Sequence, residues 1–196
     1  MRLLGYFDAY LGFLSIGSVD DLGRNGLDVG CGTGAFAEAR AVIQPEGKVT
    51  LLEPSGKMLN QAEGALALRG VTTHTARSRL EDFPPAQPFD CVLAAHVLEH
   101  CHNPTDALRH MRRQAAPAAK LWLVVSKPHW CTRLSGFSGV TGRTERNRWP
   151  RCLRKRGGCW RPSTVFQLAR PRAHRAAIWR APYKHQSGVG TWIDQF

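Results

Sequence analysis

Leu27-Asp28-Val29-Gly30-Cys31-Gly32-Thr33-Gly34, followed one strand later by Leu51-Leu52-Glu53-Pro54, decides the fold of this 196-residue chain. An apolar run that enters three alternating glycines lets the backbone turn tightly and approach a ligand that a Cβ would block. A helix starting at about Ala35 aims its free N–H groups and positive dipole end at the same point. Glu53, at the end of the next strand, is placed to accept hydrogen bonds from ribose hydroxyls. The stretch therefore predicts a nucleoside-binding turn between a strand and a helix, where the plainer alternative is a tight turn with no ligand.

The spacing narrows the nucleoside. It is G-x-G-x-G, with Ala35 and Phe36 where a dinucleotide fingerprint places its last glycine. Asp28 beside the turn would repel a diphosphate but suits a cation or an ammonium group held through water. S-adenosylmethionine has a ribose, an amino-acid ammonium and no phosphate.

Beyond this stretch the chain reads LDVGCGTGAFAEA from Leu27, LLEPSGKML from Leu51, LEDFPPAQPFDCVLAAHVLEHCHNPTDALRHMRR from Leu80 and LWLVVSKP from Leu121. In combination these segments resemble the class I, type 11 S-adenosylmethionine-dependent methyltransferases from about Leu27 to Arg133. The resemblance implies cofactor contacts from Asp28, Gly30, Cys31, Gly32 and Gly34 of the loop, Glu53 at the ribose, Met58, Leu80 and Glu81 on the adenine side, and His96 after the fourth strand. Two positions depart from the family pattern. Arg79 stands where the family usually has an acid for the adenine amino group, and Pro117-Ala118-Ala119 replaces Pro-Gly-Gly. If that turn requires positive φ, alanine there costs about 1 kcal/mol or more.

From Leu27 to Lys127 strands and helices alternate. Strands are predicted at Gly26–Val29, Val49–Glu53, Val71–Thr75, Asp90–Ala95 and Leu121–Ser126, and helices at Ala35–Val42, Gly56–Leu68 and Thr105–Gln114. Asn103-Pro104-Thr105 is a capping and first-turn signal for the last of these. Ala107, Leu108, Met111 and Ala115 recur there at helical spacing. The fold expected is α/β, a Rossmann-like doubly wound parallel sheet, incomplete at its C-terminal edge, with ligands at the carboxyl ends of the strands. Arg2 to Ile16 is apolar but broken by Asp8 and too short to span a bilayer, so it reads as a packed N-terminal helix. Six cysteines without a C-x-x-C pair fit reduced thiols and a cytoplasmic location.

The net charge of +12 is not spread evenly. Residues 1–133 carry 14 Lys and Arg against 13 Asp and Glu, whereas residues 134–196 carry 13 against 2. The reading is a cofactor-binding core over 1–133, followed by a basic, irregular tail over 134–196. Only Ser163–Ala169 hints at a short helix there. Three accounts of the tail stay open. A frame change near Arg133 would convert Ser135–Gly157 into a basic loop and an amphipathic helix. A genuine arginine-rich extension could bind nucleic acid, with Trp149, Trp160, Trp179 and Trp192 stacking on bases. A solvated, disordered tail needs no partner.

His96-Val97-Leu98-Glu99-His100 spells an inverted zinc-protease motif, but it straddles a strand end and the resemblance accounts for it without metal. No metal is expected. A sulfonium methyl is already activated, so catalysis asks mainly for alignment of the acceptor, with a base where the acceptor must lose a proton. His96 is the candidate for that role. The absence of an Asn/Asp-Pro-Pro-Tyr/Phe signature favours a small-molecule acceptor, with nucleic acid through residues 134–196 as the lesser alternative. A methyltransferase-like protein without catalysis is the competing functional class.

Overall fold

The computed structural model describes residues 6–84 and 87–126, with the backbones of 161–168 and 174–180. Its centre is a sheet in the order β3-β2-β1-β4-β5-β7-β6. The strands are β1 (Asn25–Val29), β2 (Lys48–Leu52), β3 (Thr73–Ala76), β4 (Phe89–Ala95), β5 (Ala115–Ser126), β6 (Arg161–Leu168) and β7 (His174–Arg180). Strands β1 to β5 pair in parallel. Helices α1 (Tyr6–Leu14), α2 (Ala35–Ile43), α3 (Gly56–Ala67) and α4 (Pro104–Gln114) flank them. This is the predicted Rossmann-like parallel arrangement.

The central strands are buried on both faces, as sheets covered by helices on each side require. On one side Leu27, Val29, Val92, Leu121 and Leu123 pack against Leu108 and Met111 of α4. On the other, Leu93, Trp122 and Val124 pack with Tyr10, Phe13 and Phe36. Helix α2 is buried over residues 35–41 because α1 covers the face that the sheet does not. Tyr10 and Phe13 provide that cover, with the Tyr10 ring 4.7 Å from Phe36. Asn103 caps α4 by accepting from the amides of Thr105 and Asp106, at 3.0 and 3.4 Å, with Pro104 in the first turn. Within the N-terminal apolar run, Tyr6–Leu14 thus forms a packed helix. No helix among the described residues is long and apolar enough to cross a membrane.

Three expectations change. The sheet does not stop at β5: β7 pairs antiparallel with β5, and β6 antiparallel with β7. The hint of helix at Ser163–Ala169 falls on β6, where Thr164 and Val165 are β-branched and better suited to an extended chain. Strand β3 starts at Thr73 because the Val71 amide is taken by the Leu66 carbonyl at the end of α3, 3.2 Å away. Residues 134–160, with Trp149 and Trp160, and residue Trp192 lie outside the described residues.

Ala118 has φ 64, so the turn written Pro117-Ala118-Ala119 does hold alanine in a left-handed conformation. An L-residue there costs about 1–2 kcal/mol relative to right-handed backbone.

Candidate functional site

The chain runs outward from β1 through β2 to β3, then returns to the other side of β1 as β4. The carboxyl ends of β1 and β4 therefore diverge into a crevice, the usual ligand position in such sheets. The three loop glycines all have positive φ, at 60° for Gly30, 55° for Gly32 and 88° for Gly34. Their roles differ. A Cβ on Gly30 would strike Val97 Cγ2 at 2.7 Å, so this glycine lets the loop after β4 close against the loop after β1. A Cβ on Gly34 would strike the Ala62 backbone at 2.9 Å, so this one lets α2 and α3 pack. At Gly32 a Cβ would meet nothing within 4 Å. That side of the turn is open.

The acids converge on the same loop. Glu53 is 8% exposed, and each oxygen accepts one amide: Oε2 from Gly32 at 3.1 Å and Oε1 from Ser55 at 2.9 Å. A carboxylate has about four lone-pair sites, so both oxygens can still accept from a ribose. Asp28 is 1% exposed and accepts from the Ala37 amide at 3.2 Å. Burial, reinforced by the Glu53 charge and opposed by the Ala37 hydrogen bond and Arg40, pushes its carboxyl up to about 8. An arriving ammonium would reverse that balance. Cys31 is buried and its amide donates to the Leu52 carbonyl at 3.2 Å. Burial raises its thiol, so it is no nucleophile at neutral pH.

The adenine-side residues separate. Met58 lies in the first turn of α3 and is 45% exposed, available to a flat ring. Leu80 packs its side chain into the main core, and Glu81 is exposed.

His96 follows β4 with φ 59, held by its amide donating to the Val124 carbonyl at 2.9 Å. A non-glycine residue in that conformation is strained and needs surrounding contacts to persist. His96 Nδ1 approaches Glu99 Oε1 at 3.4 Å, and the Tyr6 ring meets the imidazole edge-on with centroids 5.9 Å apart. The sequence reading missed Tyr6 and Glu99. Glu99 three residues after His96, and Tyr6 four before the buried Tyr10, were the available signals. His100 and His102 are exposed, and among the described residues no group of three or more His, Cys, Asp or Glu could hold a metal ion.

These residues gather an open glycine turn, the Glu53 carboxylate and the buried Asp28 carboxyl at one end of the crevice, the arrangement the sequence predicts for a nucleoside site. Similarity to known proteins points the same way. A family model described as a methyltransferase domain matches residues 6–181. The chain is 37% identical over 90 residues to a ribosomal RNA small subunit methyltransferase G of Pseudomonas putida, covering 44% of this chain and 40% of that protein. It is 33% identical over 102 residues to a tRNA U34 carboxymethyltransferase of Shewanella baltica, covering 51% of this chain and 30% of that one. The chain thus spans less than half the length of these relatives. In fold it is similar to the N-methyltransferase NodS of Bradyrhizobium japonicum, with a TM-score of 0.69 and 22% identity over 90% of this chain and 94% of that one.

Proposed function

This chain belongs to the class I S-adenosylmethionine-dependent methyltransferase family, and from that premise we propose that it moves the sulfonium methyl to a small-molecule acceptor at the crevice beyond the carboxyl ends of β1 and β4. The observation that carries the reading is the convergence of Gly32, Glu53 and Asp28 on one open turn. The backbone of Gly30, Gly32 and Gly34 cradles the amino-acid part of the cofactor, Asp28 faces its ammonium, and Glu53 takes the ribose hydroxyls. Cys31 lines the turn. Met58, with the backbone around Leu80 and Glu81, borders the adenine.

When bound, S-adenosylmethionine supplies an activated methyl group. The chain's own work is then alignment, which for a well-oriented pair is worth several kcal/mol of barrier. His96 follows β4 with Nδ1 toward Glu99, and it is the residue we assign as base where the acceptor must lose a proton.

Similarity to a ribosomal RNA methyltransferase and to a tRNA carboxymethyltransferase favours a second reading, an RNA acceptor. Incubation with methyl-tritiated S-adenosylmethionine and separate small-molecule and RNA fractions of a cell extract distinguishes the two. Label in the small-molecule fraction, absent with Gly32→Val, is expected. Label in RNA alone replaces the first reading with the second, and cofactor binding without any transfer points to a non-catalytic protein.

A further inference from the structure

We propose that Arg77, the first residue after β3, is a positioning residue for the ribose end of the cofactor site. The inference rests on the methyltransferase reading and adds to it a residue that sets discrimination at the sugar. The turn between β2 and α3 carries Glu53, whose carboxylate accepts from the amides of Gly32 and Ser55. That turn is pinned from the end of β3 at two successive residues. The Glu53 amide donates to the Ala76 carbonyl at 3.1 Å, and Arg77 Nε donates to the Pro54 carbonyl at 3.5 Å. The first contact is backbone pairing that most sequences could make. The second depends on an arginine at position 77 and, less visibly, on a glycine at position 56.

A Cβ on Gly56 would lie 3.3 Å from both Cζ and Nε of Arg77 and 3.5 Å from its Cδ. Consecutive side-chain atoms so close to one point mean that the arginine lies across the glycine, in space that a Cβ would take. The turn then passes into the start of α3, where Ser55 Oγ accepts from the Met58 amide at 3.5 Å.

The stability of α3 does not account for this placement. Gly56 is the first residue of a 12-residue helix, whose N-terminus carries partial positive charge. A cation laid over that end is repelled by it, and the Arg77 side chain is exposed. What the arginine provides is geometry. Pinning the Pro54 carbonyl holds the chain between Glu53 and Ser55, the pair joined by the 2.9 Å bond to Glu53 Oε1. It thereby holds the direction of the carboxylate's remaining lone pairs. Hydrogen bonds weaken steeply when misaligned, so loss of the pin falls on the ribose hydroxyls before any other part of the cofactor.

Titration calorimetry on the full chain, with S-adenosylhomocysteine and its 2′-deoxy analogue, tests the assignment. In the wild type the 2′-hydroxyl should be worth about tenfold in affinity, the size of a hydrogen bond to a charged group. Arg77→Ala should shrink that ratio to about threefold, weakening S-adenosylhomocysteine and leaving the deoxy analogue unchanged. Gly56→Ala, whose Cβ displaces the arginine, should do the same, although alanine suits a helix better than glycine. Arg77→Lys keeps a donor on a flexible stem and should recover part of the ratio. Melts of the ligand-free chain should place neither Arg77→Ala nor Gly56→Ala below the wild type, since each change favours the helix. An unchanged ratio in both variants, an equal loss of both ligands, or a markedly lower melt for Arg77→Ala overturns the positioning role. A wild type indifferent to the 2′-hydroxyl overturns it too. A wild-type chain that takes up neither ligand overturns the methyltransferase reading as well.

Discussion

The Gly32 amide donates to Glu53 Oε2 across 3.1 Å, fastening the loop after β1 to the end of β2. One carboxylate thus shapes the loop and, in the proposed site, would also offer lone pairs to a ribose. Glu53→Ala removes the acceptor of two amides, because Ser55 donates to the other oxygen. Hydrogen bonds to a charged group are worth about 1.5–3 kcal/mol each, so cofactor affinity should fall at least about tenfold. Glu53→Gln keeps one oxygen and should lose less. Titration calorimetry with S-adenosylmethionine decides, and an Ala variant that binds like the wild type removes Glu53 from the site.

Asp28 gives the site a pH dependence with a definite sign. Its carboxyl is raised by burial from 3.8 to about 8, so near neutral pH the ligand-free chain holds it protonated. Binding an ammonium requires the carboxylate and so expels a proton. Affinity for S-adenosylmethionine should rise with pH up to about 8 and flatten above it, more steeply than in Asp28→Asn. The same shift acts oppositely on the ligand-free fold. Its contribution to stability is full below 3.8 and is lost as pH rises through about 8. Calorimetry and thermal melts across pH 5–9, each on wild type and Asp28→Asn, read both slopes. Equal pH dependence of cofactor affinity in the two chains contradicts the assignment.

The glycines separate fold from binding. A Cβ at position 34 would sit 2.9 Å from the Ala62 backbone, and φ is 88°, so Gly34→Ala forces α2 and α3 apart. Overpacking of this kind costs about 1–3 kcal/mol before backbone strain is added. A Cβ at position 32 meets open space, so Gly32→Ala carries only the cost of left-handed backbone, about 1 kcal/mol. It nevertheless intrudes on the ligand cradle. Thermal unfolding should separate the variants, with Gly34→Ala melting lower, while Gly32→Ala stays folded and binds cofactor weakly. The reverse order would mean that the two roles have been exchanged.

Legibility in the sequence followed the range of each interaction. The glycine turn, Glu53, the Asn103 cap and the alternating strands are local signals, carried by backbone freedom, side-chain capping and hydrophobic spacing. Tyr6 against His96 joins elements 90 positions apart, and nothing in a helical apolar stripe says which ring will face the crevice. Glu99 is visible in the sequence only through an H-x-x-E-H spelling that the resemblance explains without metal, whereas its hydrogen bond to His96 is not visible there. Leu80 matched a family segment by sequence, yet its side chain serves the core. Strands β6 and β7 were hidden by arginine-rich composition, since what defines them is backbone pairing, of β7 to β5 and of β6 to β7, rather than a clear apolar period.

Ala118 offers the last prediction. Its φ of 64 lies in the left-handed region at the entry to the buried part of β5. Between Phe89 and Cys91 the register against β5 shifts, so Ala115 and Lys120 flank extra residues that must bulge out of the ladder. Position 118 absorbs that bulge. Glycine adopts the conformation without the Cβ penalty of about 1–2 kcal/mol, at an entropic cost of about 0.4–1 kcal/mol in the unfolded chain. Ala118→Gly should therefore stabilise the fold by up to about 1 kcal/mol, raising the melting temperature by a few degrees for a domain of this size. Ala118→Val, β-branched at the same φ, should lower it. Melting curves for the three chains test the order Gly above Ala above Val, and a glycine variant that melts below the wild type would show that the bulge is not where the strain is held.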